Sequence, residues 1–208
     1  MGNSIDIDRD ITIVDISELN EQNNLAAAYL VMESLPAYYE VEGIDKAEMA
    51  HSVVELIGKP GSETEKGFAA LIDNKMVGIA TYLSANKLSV AQLVGVQVLL
   101  KQLSSGSARI FREHLRSYDT DIEIPIDESI YLARFAVEKS FRGLGLAGKL
   151  MDELLSLNHE SGGAGHYSVS LHVAQGNQRA IAFYQKHGFD LVSTEKRYLT
   201  MVCSQNKS

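Results

Sequence analysis

The sequence predicts a mixed α/β fold, and three observations carry this prediction. The 208 residues suffice for one hydrophobic core with room for an insertion. From residue 130 to residue 202 the patterns follow the order strand–helix–strand–helix–strand–strand, which indicates a partly parallel sheet with helices on its faces. Further upstream, apolar runs at 68–72 and 76–83 flank Asp73-Asn74-Lys75 and predict an antiparallel hairpin.

The N-terminal region alternates between strand and helix signals. Residues 11–16 alternate apolar and polar side chains and predict a first strand. Residues 25–35 have helical spacing, and Pro36 is expected to end that helix. Asp45 is a typical N-cap for a second helix that runs to residue 57, and a polar loop over 58–66 follows.

Residues 85–128 hold two further helix candidates. The apolar stretch 88–103 fits helix or strand by periodicity, and its length favours a helix. Residues 107–118 carry one apolar stripe and a second stripe of arginines. We interpret the arginines as a solvated face, with an anion site as the alternative, and 119–128 as an acidic loop. The arginine stripe consists of Arg109, Arg112 and Arg116.

The last third supplies the remaining elements. A helix is expected from 143 to about 158, a break at 161–165, and a helix over 177–187 that Gly188 stops. The predicted strands are 130–137, 167–173, 189–194 and 196–202.

Composition excludes several classes of protein. A net charge of −8 argues against nucleic acid and anionic membranes as partners, and fits cationic substrates only weakly. The stretch 88–103 is too short and too polar for a membrane span. Cys203 is the single cysteine and residues 1–10 are polar, so we expect a cytoplasmic protein without a signal peptide.

The segment from Phe135 to Gly148 is the strongest functional signal. A buried strand runs into a glycine-rich turn and directly into an amphipathic helix. This arrangement directs backbone N–H groups and the positive end of a helix dipole at one spot, which suits a diphosphate.

One interpretation of the turn is a dinucleotide site. Gly143, Gly145 and Gly148 fit Gly-x-Gly-x-x-Gly. That motif also requires an acidic residue at the end of the next strand, which here ends in His172-Val173-Ala174-Gln175. Too little chain follows the motif to complete a dinucleotide domain, so an NAD-binding oxidoreductase is the weaker alternative.

The same turn resembles the acyl-CoA signature of the GCN5-related N-acetyltransferase (GNAT) family. Arg142-Gly143-Leu144-Gly145-Leu146-Ala147 matches Arg/Gln-x-x-Gly-x-Gly/Ala at each fixed position. Asn177 to Phe189 resembles the family's second segment, with Asn, an aromatic-Tyr pair and a terminal Gly-Phe. The resemblance implies a mostly antiparallel sheet of six to seven strands, helices on both faces, and a parallel pair of strands that splays at the acyl-CoA site.

The resemblance also implies roles for individual residues. Acetyl-CoA would be the co-substrate, no metal would take part, and Tyr184 would be the general acid that protonates the departing thiolate. Asn177, as an N-cap, would also contact the pantetheine arm. The implied cofactor-binding residues are Phe135, Ala136, Val137, Arg142, Gly143, Leu144, Gly145, Leu146, Ala147, Gly148 and Asn177.

An amine would then attack the thioester directly. Cys203 lies outside both motifs and is a poor nucleophile candidate. A backbone N–H near Ala136 or Val137 is the expected oxyanion donor. The sequence does not select the general base among several candidates. His172 is expected to be an exposed strand residue. The base candidates are His172, Tyr131, Glu123 and Glu128.

The acceptor side is less defined by sequence. The resemblance places the loop 36–43, with Tyr38, Tyr39, Glu40 and Glu42, at the acceptor site. Within one domain over 1–208, the insertion at 85–128 would cover that site or form a homodimer surface. We expect an N-acyltransferase acting on a small-molecule or protein amine, with a non-catalytic acyl-CoA sensor as the alternative.

Overall fold

Seven β-strands and seven α-helices make up the described part of the chain. The computed structural model describes residues 11–118, 129–160, 168–195 and 197–204. The strands are β1 Ile11–Asp15, β2 Lys66–Ile72, β3 Lys75–Ser84, β4 Ile130–Val137, β5 Ser168–Ala174, β6 Asp190–Glu195 and β7 Tyr198–Ser204. The helices are α1 Glu21–Ser34, α2 Pro36–Tyr39, α3 Lys46–Val54, α4 Leu88–Gln102, α5 Ser105–Ser117, α6 Leu146–Glu160 and α7 Gln178–Lys186.

The strands form one sheet in the order β1-β2-β3-β4-β5-β7-β6. Every neighbouring pair is antiparallel except β4 and β5, which are parallel. This confirms the predicted mixed, mostly antiparallel sheet. A doubly wound dinucleotide fold would instead have a mostly parallel sheet, so the topology argues against the oxidoreductase interpretation.

Helices cover both faces of the sheet, as predicted. Because side chains alternate along a strand, Ile79 faces the core under α1, α3, α4 and α5, whereas Ala80 faces the core under α6 and α7. Ala136 and Val137 divide between the same two faces on β4. Two separate apolar cores therefore hold β3 and β4 in place at the centre of the molecule.

Element boundaries differ from the sequence prediction at two functional places. Pro36 ends α1 but also begins α2, because proline suits the first turn of a helix, so the expected loop over 36–43 is helical in its first four residues. Helix α6 begins at Leu146 and not at Gly143, because Gly143 and Gly145 adopt positive φ angles. The predicted acidic loop 119–128 and the break 161–165 lie outside the described residues.

The parallel pair β4–β5 separates soon after it forms. Only Ile130 and Tyr131 of β4 pair with β5. On its other side β4 follows β3 throughout, but the register shifts where Tyr82 faces Leu132 and Thr81 faces Arg134. Ala133 is the extra residue of this bulge, and bulges bend the strand that carries them. The structure thus confirms the splayed pair.

Asn23 connects α1 to the hairpin turn between β2 and β3. Its amide nitrogen donates to the Asn74 carbonyl at 3.0 Å, and its amide oxygen accepts from the Met76 N–H at 3.1 Å. The Asn23 side chain is buried, and its bond from the Met76 N–H is shielded from water. Among the described helices, none has the length and apolar character that crossing a membrane requires.

Replacing Asn23 with alanine should destabilise the fold. The variant leaves the buried Met76 N–H without its partner and removes the bond to the Asn74 carbonyl, which should lower the free energy of unfolding by about 2 kcal/mol. Urea denaturation measures the change, and exposed Gln22→Ala on the same helix is the matched control. Equal midpoints for the two variants would contradict the structural role of Asn23.

Candidate active site

A cavity of about 830 Å³ opens where β4 and β5 separate. All of the cofactor-binding residues implied by the sequence line it except Leu144, and so does Tyr184. The cavity extends to α2, α4, the end of α5 and the start of β7. The fold therefore brings the two sequence motifs and the expected acceptor side into one space.

The glycine turn leaves open space above the start of α6. Gly143 and Gly145 have φ angles of +88° and +80°, which residues other than glycine rarely adopt. A Cβ at either position would meet no protein atom within 4 Å. These glycines are therefore needed for backbone conformation and not for packing, and the cradle has room for phosphate groups at a helix N-terminus. A Cβ at Gly148 would make only an ordinary contact with His187, at 3.9 Å.

The Arg142 side chain fixes this turn by bonding to protein groups. Its Nε donates to the Val137 carbonyl at 2.8 Å, and its Nη2 donates to Glu33 Oε1 at 2.8 Å. Lys139 approaches the same Glu33 oxygen only at 4.0 Å. The guanidinium therefore connects the turn to the end of β4 and to α1.

The end of β4 presents backbone groups to the gap. Glu138 N–H donates to the Val77 carbonyl at 2.8 Å. Bonded and non-bonded pairs alternate in an antiparallel ladder, so Ala136, opposite Ile79, is the next bonded residue. The N–H of Val137 then points away from β3 and toward the gap, where β5 does not pair with it.

Tyr184 lies in the wall of the cavity, on α7. Its ring contacts Phe135 at 6.2 Å and Phe189 at 5.6 Å between centroids. Burial raises the pKa of Tyr184, so the hydroxyl keeps its proton at neutral pH. Asn177 caps the same helix by accepting from the Ala180 N–H at 3.2 Å, as the sequence predicted for its capping role.

Sequence reasoning missed the basic side chains at the cofactor end. Arg179 and Lys186 line the cavity from α7, seven residues apart and thus on one helix face. The charges of Glu33 and Arg142 compensate each other. Arg179 and Lys186 therefore give this end of the cavity a net positive charge among the described residues. The helical spacing of two basic residues after Asn177 was the available signal.

Tyr131 and His172 form a hydrogen-bonded pair across the start of the splay. Tyr131 Oη lies 3.0 Å from His172 Nδ1. Both residues line the cavity, and His172 is only partly exposed. The expectation of an exposed His172 was wrong, because its ring turns toward Tyr131 on the neighbouring strand. Of the other base candidates, Glu123 and Glu128 lie outside the described residues.

A buried ion pair lies on the acceptor side. Arg134 Nη2 donates to Glu63 Oε2 at 2.8 Å, and Nη1 donates to the Ala133 carbonyl at 2.8 Å. Burial would lower the pKa of Arg134, but the charge of Glu63 and the neighbouring Tyr39 raise it above its usual value. Seventy-one residues separate the partners, so no local pattern could reveal the pair.

Tyrosine rings build the remaining acceptor wall. Tyr38 packs edge-on against Phe111 at 5.6 Å and against Tyr118 at 5.3 Å. The hydroxyl of Tyr118, at the end of α5, lies 3.4 Å from that of Tyr198 on β7. The sequence named Tyr38 for this side, but it missed Tyr118 and Tyr198.

The insertion helices contribute to the same wall. Gln92 and Val96 of α4 and Leu115 next to the end of α5 line the cavity. Of the two roles expected for residues 85–128, covering the acceptor site is the one that these contacts favour. The arginine stripe on α5 is exposed, in agreement with a solvated face: Arg109, Arg112 and Arg116.

Two further observations concern the single cysteine and possible metal ligands. Cys203 is buried next to the His187 carbonyl, with Sγ at 3.7 Å, and does not line the cavity. Within the described ranges, no group of three or more His, Cys, Asp or Glu side chains is arranged to hold a metal ion.

Comparison with known proteins identifies the family. Residues 30–189 match the model of the acetyltransferase (GNAT) family. The chain therefore belongs to the GNAT family. It is 32% identical over 69 residues to N-alpha-acetyltransferase 50 of Danio rerio, a match that covers 33% of this chain and 40% of that protein. It is 38% identical over 69 residues to N-alpha-acetyltransferase daf-31 of Caenorhabditis elegans, covering 33% and 37%.

Solved structures share the fold. An N-acetyltransferase from Staphylococcus aureus Mu50 superposes with a TM-score of 0.67 at 19% identity, covering 92% of this chain and 99% of that chain. The PaiA N-acetyltransferase of Thermoplasma acidophilum, solved in complex with coenzyme A, gives a TM-score of 0.54 at 14% identity, with 94% and 99% covered. At these identities the similarity establishes the fold alone.

Replacing Arg142 with alanine should weaken coenzyme A binding. Without the bonds to Val137 and Glu33 the turn is less ordered in the free protein. Ordering it when coenzyme A binds then reduces the free energy of binding. We expect the dissociation constant to rise by a factor of about 3 to 10 in calorimetry. Lys139→Ala, which removes the longer contact to the same Glu33 oxygen, should change it little. Unaltered affinity in the Arg142 variant would refute the fixing role.

Proposed function

We propose that this chain is an acetyl-CoA-dependent N-acetyltransferase that acts on a primary amine. The observation that carries the proposal is a single cavity lined by the glycine turn, the free end of β4, Tyr184 and a separate aromatic wall. GNAT membership and the names of its relatives support acetyl transfer. The amine and the mechanism are inferred from the site.

The cofactor end suits coenzyme A by shape and by charge. The open cradle at Gly143 and Gly145 would take the diphosphate on backbone N–H groups, and the surplus charge of Arg179 and Lys186 would attract a further phosphate. Phe135 would pair with a pantetheine amide through its main chain, as an added strand would. Asn177 lies at the opposite side of the gap, next to this path.

The Val137 N–H is the proposed oxyanion donor. When an amine attacks the thioester carbonyl, negative charge develops on the carbonyl oxygen. Ala136 was the other candidate, but the register commits its N–H to β3. The Val137 carbonyl, in the following peptide unit, accepts from Arg142, and this bond helps to hold residue 137 at the gap.

Tyr131 and His172 are the proposed base, acting as a pair. Burial and the nearby Glu63 raise the pKa of Tyr131, so its hydroxyl carries a proton that it can donate to His172 Nδ1. The Tyr131 oxygen would accept a proton from the amine while passing its own proton to His172. The amine thereby loses one proton and the imidazole gains it.

Tyr184 is the proposed general acid. As the new C–N bond forms and the C–S bond breaks, the sulfur would receive the Tyr184 proton and leave as a thiol, and the second proton lost by the attacking nitrogen would return Tyr184 to its neutral form. Because burial raises the pKa of Tyr184, its hydroxyl is protonated at neutral pH and can donate to the departing sulfur. Tyr184 and Tyr131 would therefore supply and remove protons at separate points of one cavity.

The wider assignments rest on the same site. We propose that residues 1–208 act as one domain, in which the insertion at 85–128 covers the acceptor. The acceptor is a small-molecule or protein amine, and a cytoplasmic location and a homodimer stay predictions. A non-catalytic sensor would bind acetyl-CoA through the same cradle, so only turnover distinguishes it from an enzyme.

Turnover and the role of Tyr184 are tested together. Acetyl-CoA and 2-phenylethylamine are incubated with the protein, and free thiol is measured. We expect amine-dependent release, and a kcat lowered about 100-fold in Tyr184→Phe with the affinity for coenzyme A retained. Tyr29→Phe, an exposed position on α1, is the control.

Two other results would redirect these assignments. Coenzyme A binding without turnover on any primary amine would favour the sensor. An unchanged kcat in the Tyr184 variant would remove this residue from the chemistry.

Replacing His172 with glutamine should slow the reaction in a pH-dependent manner. Glutamine can hydrogen-bond Tyr131 but cannot take up a proton, so kcat/KM should fall about tenfold near neutral pH. The deficit should shrink as the pH rises, because more of the amine is already neutral. His51→Gln, exposed on α3, is the control. A deficit independent of pH would indicate a structural role only.

A further inference from the structure

The charges around the cavity are distributed unevenly, and the acceptor end is balanced. Among the described lining residues, the formal charges at that end are those of Arg134 and Glu63, which form an ion pair at 2.8 Å. Arg179 and Lys186 place the positive surplus at the cofactor end. The part of the acceptor compartment formed by the described residues therefore has no net charge.

The ion pair is largely withdrawn from water, although Arg134 Nε has no hydrogen-bond partner among the described residues. The Arg134 side chain is 8% exposed and that of Glu63 13%. One terminal nitrogen of Arg134 is committed to Glu63 and the other to the Ala133 carbonyl, and the Tyr39 ring lies 6.0 Å from the guanidinium carbon. A second charge on the acceptor would have to compete with bonds that are already made.

The rest of the described lining at this end is uncharged, with the Gln92 amide among apolar and hydroxyl-bearing side chains. Tyr38, Tyr118 and Tyr198 supply rings and hydroxyls, and Leu115 and Val96 supply aliphatic surface. Burial raises the pKa of Tyr38 and Tyr118, so neither hydroxyl ionises near neutral pH. Taking a carboxylate or a second ammonium out of water against such a wall is unfavourable unless an opposite charge receives it.

We propose that the Arg134–Glu63 pair makes the acceptor site selective for monoamines with an uncharged apolar or aromatic body, against amino acids and diamines. The proposal rests on the N-acetyltransferase function above. The neutral pair excludes both signs of charge, because either sign would meet one favourable and one unfavourable partner. A peptide N-terminus with an uncharged first side chain belongs to the accepted class.

The test uses three amines of equal length: 1-aminobutane, 4-aminobutanoate and 1,4-diaminobutane. Their four-carbon chains keep the second charge inside the site while the reacting amines remain similar. With acetyl-CoA and thiol detection, kcat/KM for 1-aminobutane should exceed that for each charged analogue by at least about tenfold. A charged analogue that reacts equally well or better overturns the proposal.

Charge-changing variants provide the matched control. Glu63→Gln leaves a net positive site and should shift the preference toward 4-aminobutanoate, whereas Arg134→Gln leaves a net negative site and should shift it toward 1,4-diaminobutane. The double variant is neutral again and should regain the preference for 1-aminobutane. Selectivity that stays constant across folded variants refutes the role of the pair.

Failure of this inference is distinguishable from failure of the proposed function. If a single variant does not fold in thermal melting, the wild-type amine series still decides. Thiol release that favours a charged amine rejects the selectivity and leaves the enzyme assignment intact. Coenzyme A binding without thiol release from these amines or from 2-phenylethylamine rejects both.

Discussion

The separation of β4 from β5 is the constraint on which the site depends. Parallel pairing stops after Tyr131, and the bulge at Ala133 bends β4 while β3 still holds its other edge. A sheet interrupted in this way exposes main-chain groups in its interior without exposing an outer edge. Helices α6 and α7 begin beside the gap, so the ends of two strands and the starts of two helices converge there.

Two arginines stabilise this opening from opposite ends. Arg142 bonds the glycine turn to the end of β4 and to Glu33 on α1. Arg134 bonds the middle of β4 to Glu63, which precedes β2 in the chain. Both positive charges are compensated by a glutamate, so neither arginine adds net charge to the cavity. The uncompensated positive charges of Arg179 and Lys186 on α7 therefore lie at the end of the cavity that we assign to phosphate groups.

The inserted helices give the cavity its acceptor wall. Helices α4 and α5 pack in the core on the α1 side of the sheet, and their residues reach the cavity at Val96 and Leu115. The Tyr118–Tyr198 contact then joins the end of α5 to the last strand. The resulting compartment is aromatic, and the side chains that form this wall are half-buried. A charged group would lose part of its hydration there, which is the physical basis of the selectivity that we propose for the acceptor.

The sequence alone determined the family, the strand and helix order, and the cofactor cradle. These features follow from local patterns: glycines that permit positive φ at 143 and 145, alternation along strands, and an N-cap at Asn177. Only the tertiary structure decided the acceptor side, because Arg134 meets Glu63 and Tyr118 meets Tyr198 across more than 70 residues of chain. The orientation of His172 depended likewise on a neighbouring strand. Contacts of this kind arise from how elements pack, and local periodicity contains no information about them.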